Sequence, residues 1–217
     1  MTRKLPSLML TTLAAATLAG ALSACVPLVV GGAAIGTLVA VDRRTSGAQL
    51  EDEGIELRAS NRVRDAVGSR ARVNITSYNR QVLLTGEVLN DRDKQTVEQA
   101  VAGVQNVRAV VNELAVLNSP TLVQRSSDVL VTGKVKASLV DAKDLYAGAF
   151  KVVTERGTTY LMGRVTQREA DRATQIARNV GGVQRVVRIF EVISQEELNR
   201  MVPEQASKPS SATAPKN

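Results

Sequence analysis

Residues 72–88 read RVNITSYNRQVLLTGEV and decide the fold. β-Branched and aromatic residues alternate with polar ones on both sides of Asn79-Arg80, a pattern typical of two strands joined by a tight turn. Residues 150–165 repeat the pattern as FKVVTERGTTYLMGRV. Gly86 and Gly163 occupy equivalent positions in the two segments. The chain therefore contains two copies of one β-hairpin.

Each hairpin lies between two segments whose apolar residues recur with the period of a helix. In the first copy these faces are Ile55, Ala59, Val63, Ala66 and Val67, then Val97, Ala100, Val101 and Val104; in the second they are Val131, Val135, Ser138 and Leu139, then Ala170, Ala173, Ala177 and Val180. A third strand follows at 107–116 and at 186–193. The sequence predicts an α+β protein of two tandem αββαβ units. Each unit is a three-stranded mixed sheet with two helices on one face, its first strand pair antiparallel and its second pair parallel.

Glycines mark further equivalent positions, since GVQNV at 103–107 corresponds to GVQRV at 182–186. Gly86 and Gly163 lie within strands, which favours a bulge or a close approach of the crossover helix. Gly103 and Gly182 follow predicted helices, and Gly181-Gly182 is typical of a helix C-cap. We predict structural roles for all four landmark glycines. Thr166 and Ser194 each begin a capping-box sequence.

The N-terminus has the features of a secretory signal. Arg3 and Lys4 precede an apolar segment at 8–22, and Leu-Ser-Ala-Cys at 22–25 matches the bacterial lipobox. The sequence predicts that Cys25 becomes lipidated after cleavage, which anchors the chain to a membrane. A plain signal peptide followed by a chance cysteine is the alternative.

These patterns divide the chain into seven parts. We predict a signal peptide (1–24), a lipidated cysteine with a flexible tether (25–53), a first domain (54–117), a linker (118–127), a second domain (128–193), a short helix (194–202) and a disordered tail (203–217). The tail is rich in Pro, Ala, Ser and Lys and has little to bury.

Composition argues against several classes of function. The 217 residues include no His, no Trp, one Cys, three Tyr and two Phe. Without His the chain lacks the usual acid–base residue and the commonest metal ligand, and one Cys cannot form a zinc cage. Five aromatic residues offer little stacking surface for nucleobases, despite a net charge of +7. We predict a protein that is not an enzyme and uses no cofactor, metal or nucleic acid.

The repeated segments resemble the BON domain, a bacterial module of osmotically inducible periplasmic proteins. The resemblance lies in 73–78 with 82–86 in the first copy and in 160–170 with 182–186 in the second. With the lipobox it extends over 25–193 and is similar to the dual BON-domain outer-membrane lipoproteins. It implies a periplasmic-facing protein of the outer membrane that binds anionic phospholipid through the first helix of its second copy. It also implies a role in outer-membrane integrity and at division sites.

The second copy is the more basic one, with a net charge of +4 over 126–193 against +2 over 55–117. If Val131, Val135 and Leu139 face the core, Leu130 lies beside Lys134 on an exposed edge. Apolar and cationic side chains together favour contact with an anionic leaflet. We predict that anionic phospholipid is bound by Val129, Leu130, Lys134, Lys136, Arg168 and Arg172.

Two alternatives remain open at this stage. Val129 and Leu130 also fit a contact with the first copy. The chain also fits an adaptor that binds an envelope-assembly or peptidoglycan-processing protein through its exposed strands or through the helix at 194–202.

Overall fold

The computed structural model describes residues 42–201. The signal segment, Cys25, the tether up to residue 41 and the tail from residue 202 lie outside the described residues. Predictions about these parts therefore stay predictions.

The first copy consists of α1 (Ser46–Val67), β1 (Arg72–Tyr78), β2 (Gln81–Val88), α2 (Asp91–Ala102), β3 (Ala109–Asn112) and β4 (Ala115–Val116). β1 pairs with β2 in antiparallel register, and β3 and β4 both run parallel to β2. The third strand, predicted as one segment, is thus two short strands. Asn112 causes the break, since its side-chain oxygen accepts a hydrogen bond from the backbone N–H of Leu114 at 3.2 Å.

The second copy consists of α3 (Leu122–Asp141), β5 (Phe150–Glu155), β6 (Thr158–Val165), α4 (Gln167–Arg178) and β7 (Arg185–Val192). β6 lies between β5, to which it is antiparallel, and β7, to which it is parallel. A short helix, α5 (Gln195–Met201), follows. The predicted fold of two tandem αββαβ units is confirmed.

Two helices begin earlier than the predicted domain boundaries. The side chain of Thr45 accepts a hydrogen bond from the backbone N–H of Ala48 and starts α1. Thr121 forms a full capping box with Gln124 and starts α3. The structure therefore assigns 46–53 and 122–127 to helices rather than to the predicted tether and linker. Both early starts come from threonine caps that precede the first apolar core position.

Each sheet is buried on both faces. In each copy the two helices pack on one face, around Val82 and Leu84 of β2 and around Leu161 of β6. The opposite faces of the two sheets meet, and the residues buried between them are Tyr78, Leu83, Tyr160, Met162 and Ile189. Each copy thus supplies the cover that a unit of this size needs for its second face.

Gly86 and Gly163 allow a close approach of backbone. A Cβ on Gly86 would lie 2.0 Å from the carbonyl oxygen of Arg72, and one on Gly163 would lie 2.5 Å from that of Ala149. The neighbouring chain is the edge strand or the residue before it. The predicted approach of the crossover helix is therefore wrong, because the paired strand comes closer than the helix does.

Gly103 and Gly182 differ in role although they are equivalent in sequence. Gly103 is the C-cap of α2, and its N–H donates to the carbonyl of Gln99 at 3.1 Å. In the second copy Asn179 is the C-cap, so the prediction of a cap at Gly181-Gly182 is wrong. Gly182 has a φ of +104°, and a Cβ there would lie 2.5 Å from the Val131 side chain. Its role is to let the chain pass close to α3.

Candidate functional site

The outward face of α3 carries five large apolar side chains among polar ones, including exposed residues 124–127. The exposed apolar side chains are Leu122 (73% exposed), Val123 (79%), Val129 (70%), Leu130 (66%) and Val140 (51%). The inward-facing positions are Asp128, Val131, Val135 and Leu139. Because a helix advances about 100° per residue, the remaining positions point away from the sheet. Exposed apolar residues grouped in this way mark an interaction surface.

Cationic side chains lie on both flanks of this face. Lys134 lies four residues after Leu130, on its side of the helix, and Lys136 lies seven residues after Val129. Within residues 42–201, Lys151 pairs with a carboxylate. Lys134 and Lys136 in the same range are exposed and form no such pair. Their charges are therefore available to an external anion.

Arg168 and Arg172 lie near the C-terminal end of α3, away from Val129 and Leu130. Both flank Asp144, whose carboxylate lies 3.7 Å from the Arg168 guanidinium and 3.2 Å from that of Arg172. Asp144 follows the C-terminal end of α3, and Leu130 lies eleven residues before that end, about 16 Å along the axis. The structure groups Val129, Leu130, Lys134 and Lys136 on one helix. It does not bring the two arginines next to Val129 and Leu130.

Asp128 fixes the N-terminal half of α3 on the second copy. Its carboxylate accepts hydrogen bonds from the backbone N–H groups of Arg156 and Gly157 at 2.8 and 2.9 Å. Both residues have positive φ and form the turn of the second hairpin. The helix that carries the exposed apolar face is therefore held rigidly against the sheet.

Asp52 has the same role in the first copy. It accepts from the backbone N–H groups of Asn79 and Arg80, each at 2.7 Å, and from the hydroxyl of Ser77 at 2.7 Å. Neither aspartate was predicted from the sequence, because Asp52 falls in the predicted tether and Asp128 at a predicted domain start. The available signal was that each lies three residues before the first core residue of its helix, Ile55 or Val131.

Another buried carboxylate, that of Glu169, completes the capping box at the start of α4. Its carboxylate accepts from the Thr166 N–H at 2.9 Å and from the Arg43 guanidinium at 2.9 and 2.7 Å. Burial alone would raise the pKa of Glu169, but the Arg43 and Thr166 hydrogen bonds outweigh it and lower the pKa. Burial would likewise raise the pKa of Asp52, but hydrogen bonds from the Arg80 N–H, the Ser77 hydroxyl and Arg44 outweigh it and lower the pKa.

These two shifts predict acid sensitivity. A carboxylate whose pKa is lowered by folding contributes stability that is present above its unfolded pKa and is lost as pH falls through the folded value. We expect the free energy of unfolding to fall below about pH 4.5, the ordinary pKa of a glutamate. Urea titrations at pH 7 and pH 3 measure this loss in the free energy of unfolding. The double variant Asp52→Asn, Glu169→Gln should be less stable at pH 7, and its free energy of unfolding should change less between pH 7 and pH 3. An equal change in the variant and in wild type would contradict the role given to these two carboxylates.

The helix α5 packs on the second copy. The backbone N–H of Glu197 donates to the Ser194 hydroxyl at 3.1 Å, which is half of the predicted capping box. The Glu197 carboxylate accepts instead from Arg164 at 2.8 Å, and Leu198 is buried. Leu198 of this helix is therefore not available to an external partner.

Cavities in the described residues are shallow clefts. One of about 370 Å³ lies beside Val129, between α3, β5 and the edge strand β1 of the first copy. Residues 42–201 contain no group of three His, Cys, Asp or Glu side chains placed to hold a metal ion. None of the helices in this range is long and apolar enough to cross a bilayer.

The family model for the BON domain matches this chain twice, over residues 52–118 and 127–194. The chain belongs to the BON-domain family. The first BON domain thus comprises α1 to β4, and the second comprises α3 to β7. Both matches begin within the helices whose early starts the structure shows.

Curated relatives support a protein with two BON domains. The chain is 38% identical over 174 residues to the outer membrane lipoprotein DolP of Haemophilus influenzae, an alignment that covers 79% of this chain and 90% of the relative. It is 33% identical over 155 residues to a protein named 21 kDa hemolysin from Actinobacillus pleuropneumoniae, covering 70% and 80%. The predicted relationship to dual BON-domain lipoproteins of the DolP type is confirmed.

Among solved structures, the C-terminal domain of CdsD, a structural protein of the type III secretion system of Chlamydia trachomatis, aligns with 62% of this chain and 96% of its own. The identity is 14% and the TM-score is 0.28. A score of this size does not allow the domain arrangements to be compared.

Proposed function

We propose that this protein is a non-enzymatic lipoprotein of the outer membrane, facing the periplasm, which binds anionic phospholipid through its second BON domain. The observation that carries the proposal is the exposed apolar face of α3 with Lys134 and Lys136 on its flanks. Apolar side chains enter the interfacial region of a leaflet, and cations beside them attract anionic headgroups. Its role would be to maintain outer-membrane integrity, including at division sites.

One relative supports the proposed location. DolP of Haemophilus influenzae is named an outer membrane lipoprotein, and the lipobox at Cys25 fits lipidation of this chain. Several acyl chains on Cys25 would by themselves give stable anchoring, and a surface that binds headgroups would add a second contact with the leaflet.

The six predicted residues are expected to contribute unequally to phospholipid binding. Val129, Leu130, Lys134 and Lys136 form the binding face. Arg168 and Arg172 share the carboxylate of Asp144, which offsets part of their charge. We therefore assign them a weaker attraction to headgroups at the far end of α3.

Leu130→Glu is expected to weaken binding to anionic vesicles at least ten-fold. It removes an apolar side chain worth about 1.5–3 kcal/mol of burial and adds a charge of the same sign as the headgroups. Flotation of the chain lacking residues 1–25, with phosphatidylglycerol or phosphatidylcholine vesicles, measures it. Leu57→Glu is the matched control, because Leu57 is equally exposed at 66% but lies on α1 of the first domain.

Wild-type protein should float with phosphatidylglycerol and not with phosphatidylcholine. Equal recovery with both lipids, or equal losses for the two glutamate variants, would refute the proposed binding face. The adaptor alternative predicts a different outcome. Crosslinking from α3 in cells would then give mainly a protein adduct rather than lipid.

A further inference from the structure

Arg43 reaches from the start of the described chain into the second BON domain. Its guanidinium forms two hydrogen bonds to the Glu169 carboxylate and donates a third to the carbonyl of Arg164 at 3.0 Å. The side chain of Arg43 is 0% exposed and that of Glu169 is 2% exposed. The guanidinium also lies 5.8 Å from the centre of the Tyr146 ring. An arginine that precedes the first domain is therefore buried in the second.

Arg44, the next residue, contacts the first domain. Its guanidinium donates to the Asp52 carboxylate at 2.8 Å and lies 4.3 Å from the centre of the Tyr78 ring. Asp52 also holds the turn of the first hairpin. Two consecutive arginines thus bind the two domains through separate buried carboxylates.

We infer that Arg43 is a clasp that fastens the segment before α1 to the second BON domain, while Arg44 holds the same segment to the first. The attachment of this segment to a membrane through Cys25 rests on the proposed function, whereas the clasp itself does not. The eighteen residues from Cys25 to Asp42 span at most about 60 Å when fully extended. Because the far end of this tether is fastened to both domains, the two domains are held at the bilayer together rather than through α1 alone.

Charge and burial make the clasp specific. Glu169 accepts from the Thr166 N–H and hydroxyl, so the capping box orients its carboxylate before Arg43 binds. An arginine that pairs with a carboxylate through two parallel hydrogen bonds requires a fixed geometry, which lysine cannot reproduce. Loss of either partner leaves a buried charge unpaired.

Trypsin tests the clasp directly, because cleavage after Arg43 requires its side chain to leave Glu169 and enter the protease. In Glu169→Gln the new side chain still accepts the Thr166 hydrogen bond, so α4 keeps its cap. We expect the initial rate of cleavage after Arg43 in the full chain to be at least ten-fold higher than in wild type. Mass spectrometry measures this rate. Asp144→Asn is the control, since it breaks only exposed ion pairs and should leave the rate unchanged.

Arg43→Lys is a second variant, which keeps the test decisive if Glu169→Gln does not fold. It keeps both the charge and a trypsin site while losing the paired geometry, so its cleavage should also accelerate. Circular dichroism establishes that each variant is folded under the conditions used. A folded Glu169→Gln or Arg43→Lys protein that is cleaved at the wild-type rate would overturn the clasp.

The two proposals fail separately. Flotation of the chain lacking residues 1–25 tests the lipid-binding face and not the clasp, so Glu169→Gln should float like wild type while Leu130→Glu does not. If Leu130→Glu floats normally, the proposed lipid face fails. The protease result on the clasp is unaffected by that outcome.

Discussion

Gly86→Ala is expected to lower the free energy of unfolding by about 3 kcal/mol or more. The new Cβ would lie 2.0 Å from the carbonyl oxygen of Arg72, a backbone atom that is held in place by the β1–β2 pairing. The φ of +115° at this position is also one that residues with a Cβ rarely adopt. Both strands must shift to admit a methyl group. Urea unfolding of the chain lacking residues 1–25 measures the loss.

Gly133→Ala is the matched control for this substitution. Gly133 lies within α3 and is exposed, and no atom lies within 4 Å of the position that a Cβ would occupy there. Alanine at this site should stabilise the protein by about 0.5–1 kcal/mol, because it favours helix. Gly163→Ala should fall between the two, since its Cβ would lie 2.5 Å from the Ala149 carbonyl without a positive φ. A Gly86→Ala protein as stable as Gly133→Ala would contradict the close approach.

The hairpins could be predicted from sequence because their signals are local. Alternating residues and a short turn define β1, β2 and β6, and the structure has the predicted bounds for all three. The third strand of the first domain was harder to predict. Its interruption depends on the Asn112 side chain, which bonds its own backbone two residues further on. Periodicity carries no information about such a bond.

The candidate site was predictable on one helix and not across two. With Val131, Val135 and Leu139 on the core face of α3, the exposure of Val129 and Leu130 follows from the helical period. The position of Arg168 and Arg172 depends on how α4 packs against α3. Asp144, which follows α3, binds both arginines near the start of α4, while Gly182, which follows α4, approaches Val131. Neither contact has a signal in the local sequence.

The ion pair between Arg43 and Glu169 was even harder to predict from the sequence. Arg43 and Glu169 are 126 residues apart in sequence. Before folding, Arg43 is one of two arginines in a polar segment, and Glu169 is the acidic member of a capping box. The capping role of Glu169 was predictable because it is local. Its second partner follows only from the packing of the two domains.

Asp52→Ala is expected to lower the free energy of unfolding by about 3–5 kcal/mol, the range for breaking a buried charged network. It leaves the N–H groups of Asn79 and Arg80 without their acceptor at the turn and leaves the Arg44 guanidinium without its buried partner. Asp52→Asn retains one acceptor oxygen and should lose less. Urea unfolding at pH 7 measures both variants.

Asp65→Ala is the control for Asp52→Ala, since Asp65 lies on the same helix with an exposed side chain. Its loss should stay below about 0.5 kcal/mol. Asp128→Ala should also be costly, because Asp128 accepts from the equivalent turn, but less so because no arginine pairs with it in the described residues. If Asp52→Ala and Asp65→Ala unfold with the same free energy, Asp52 does not hold the first hairpin. The order Asp52, Asp128, Asp65 would instead show that each BON domain closes its hairpin turn with a carboxylate from its first helix.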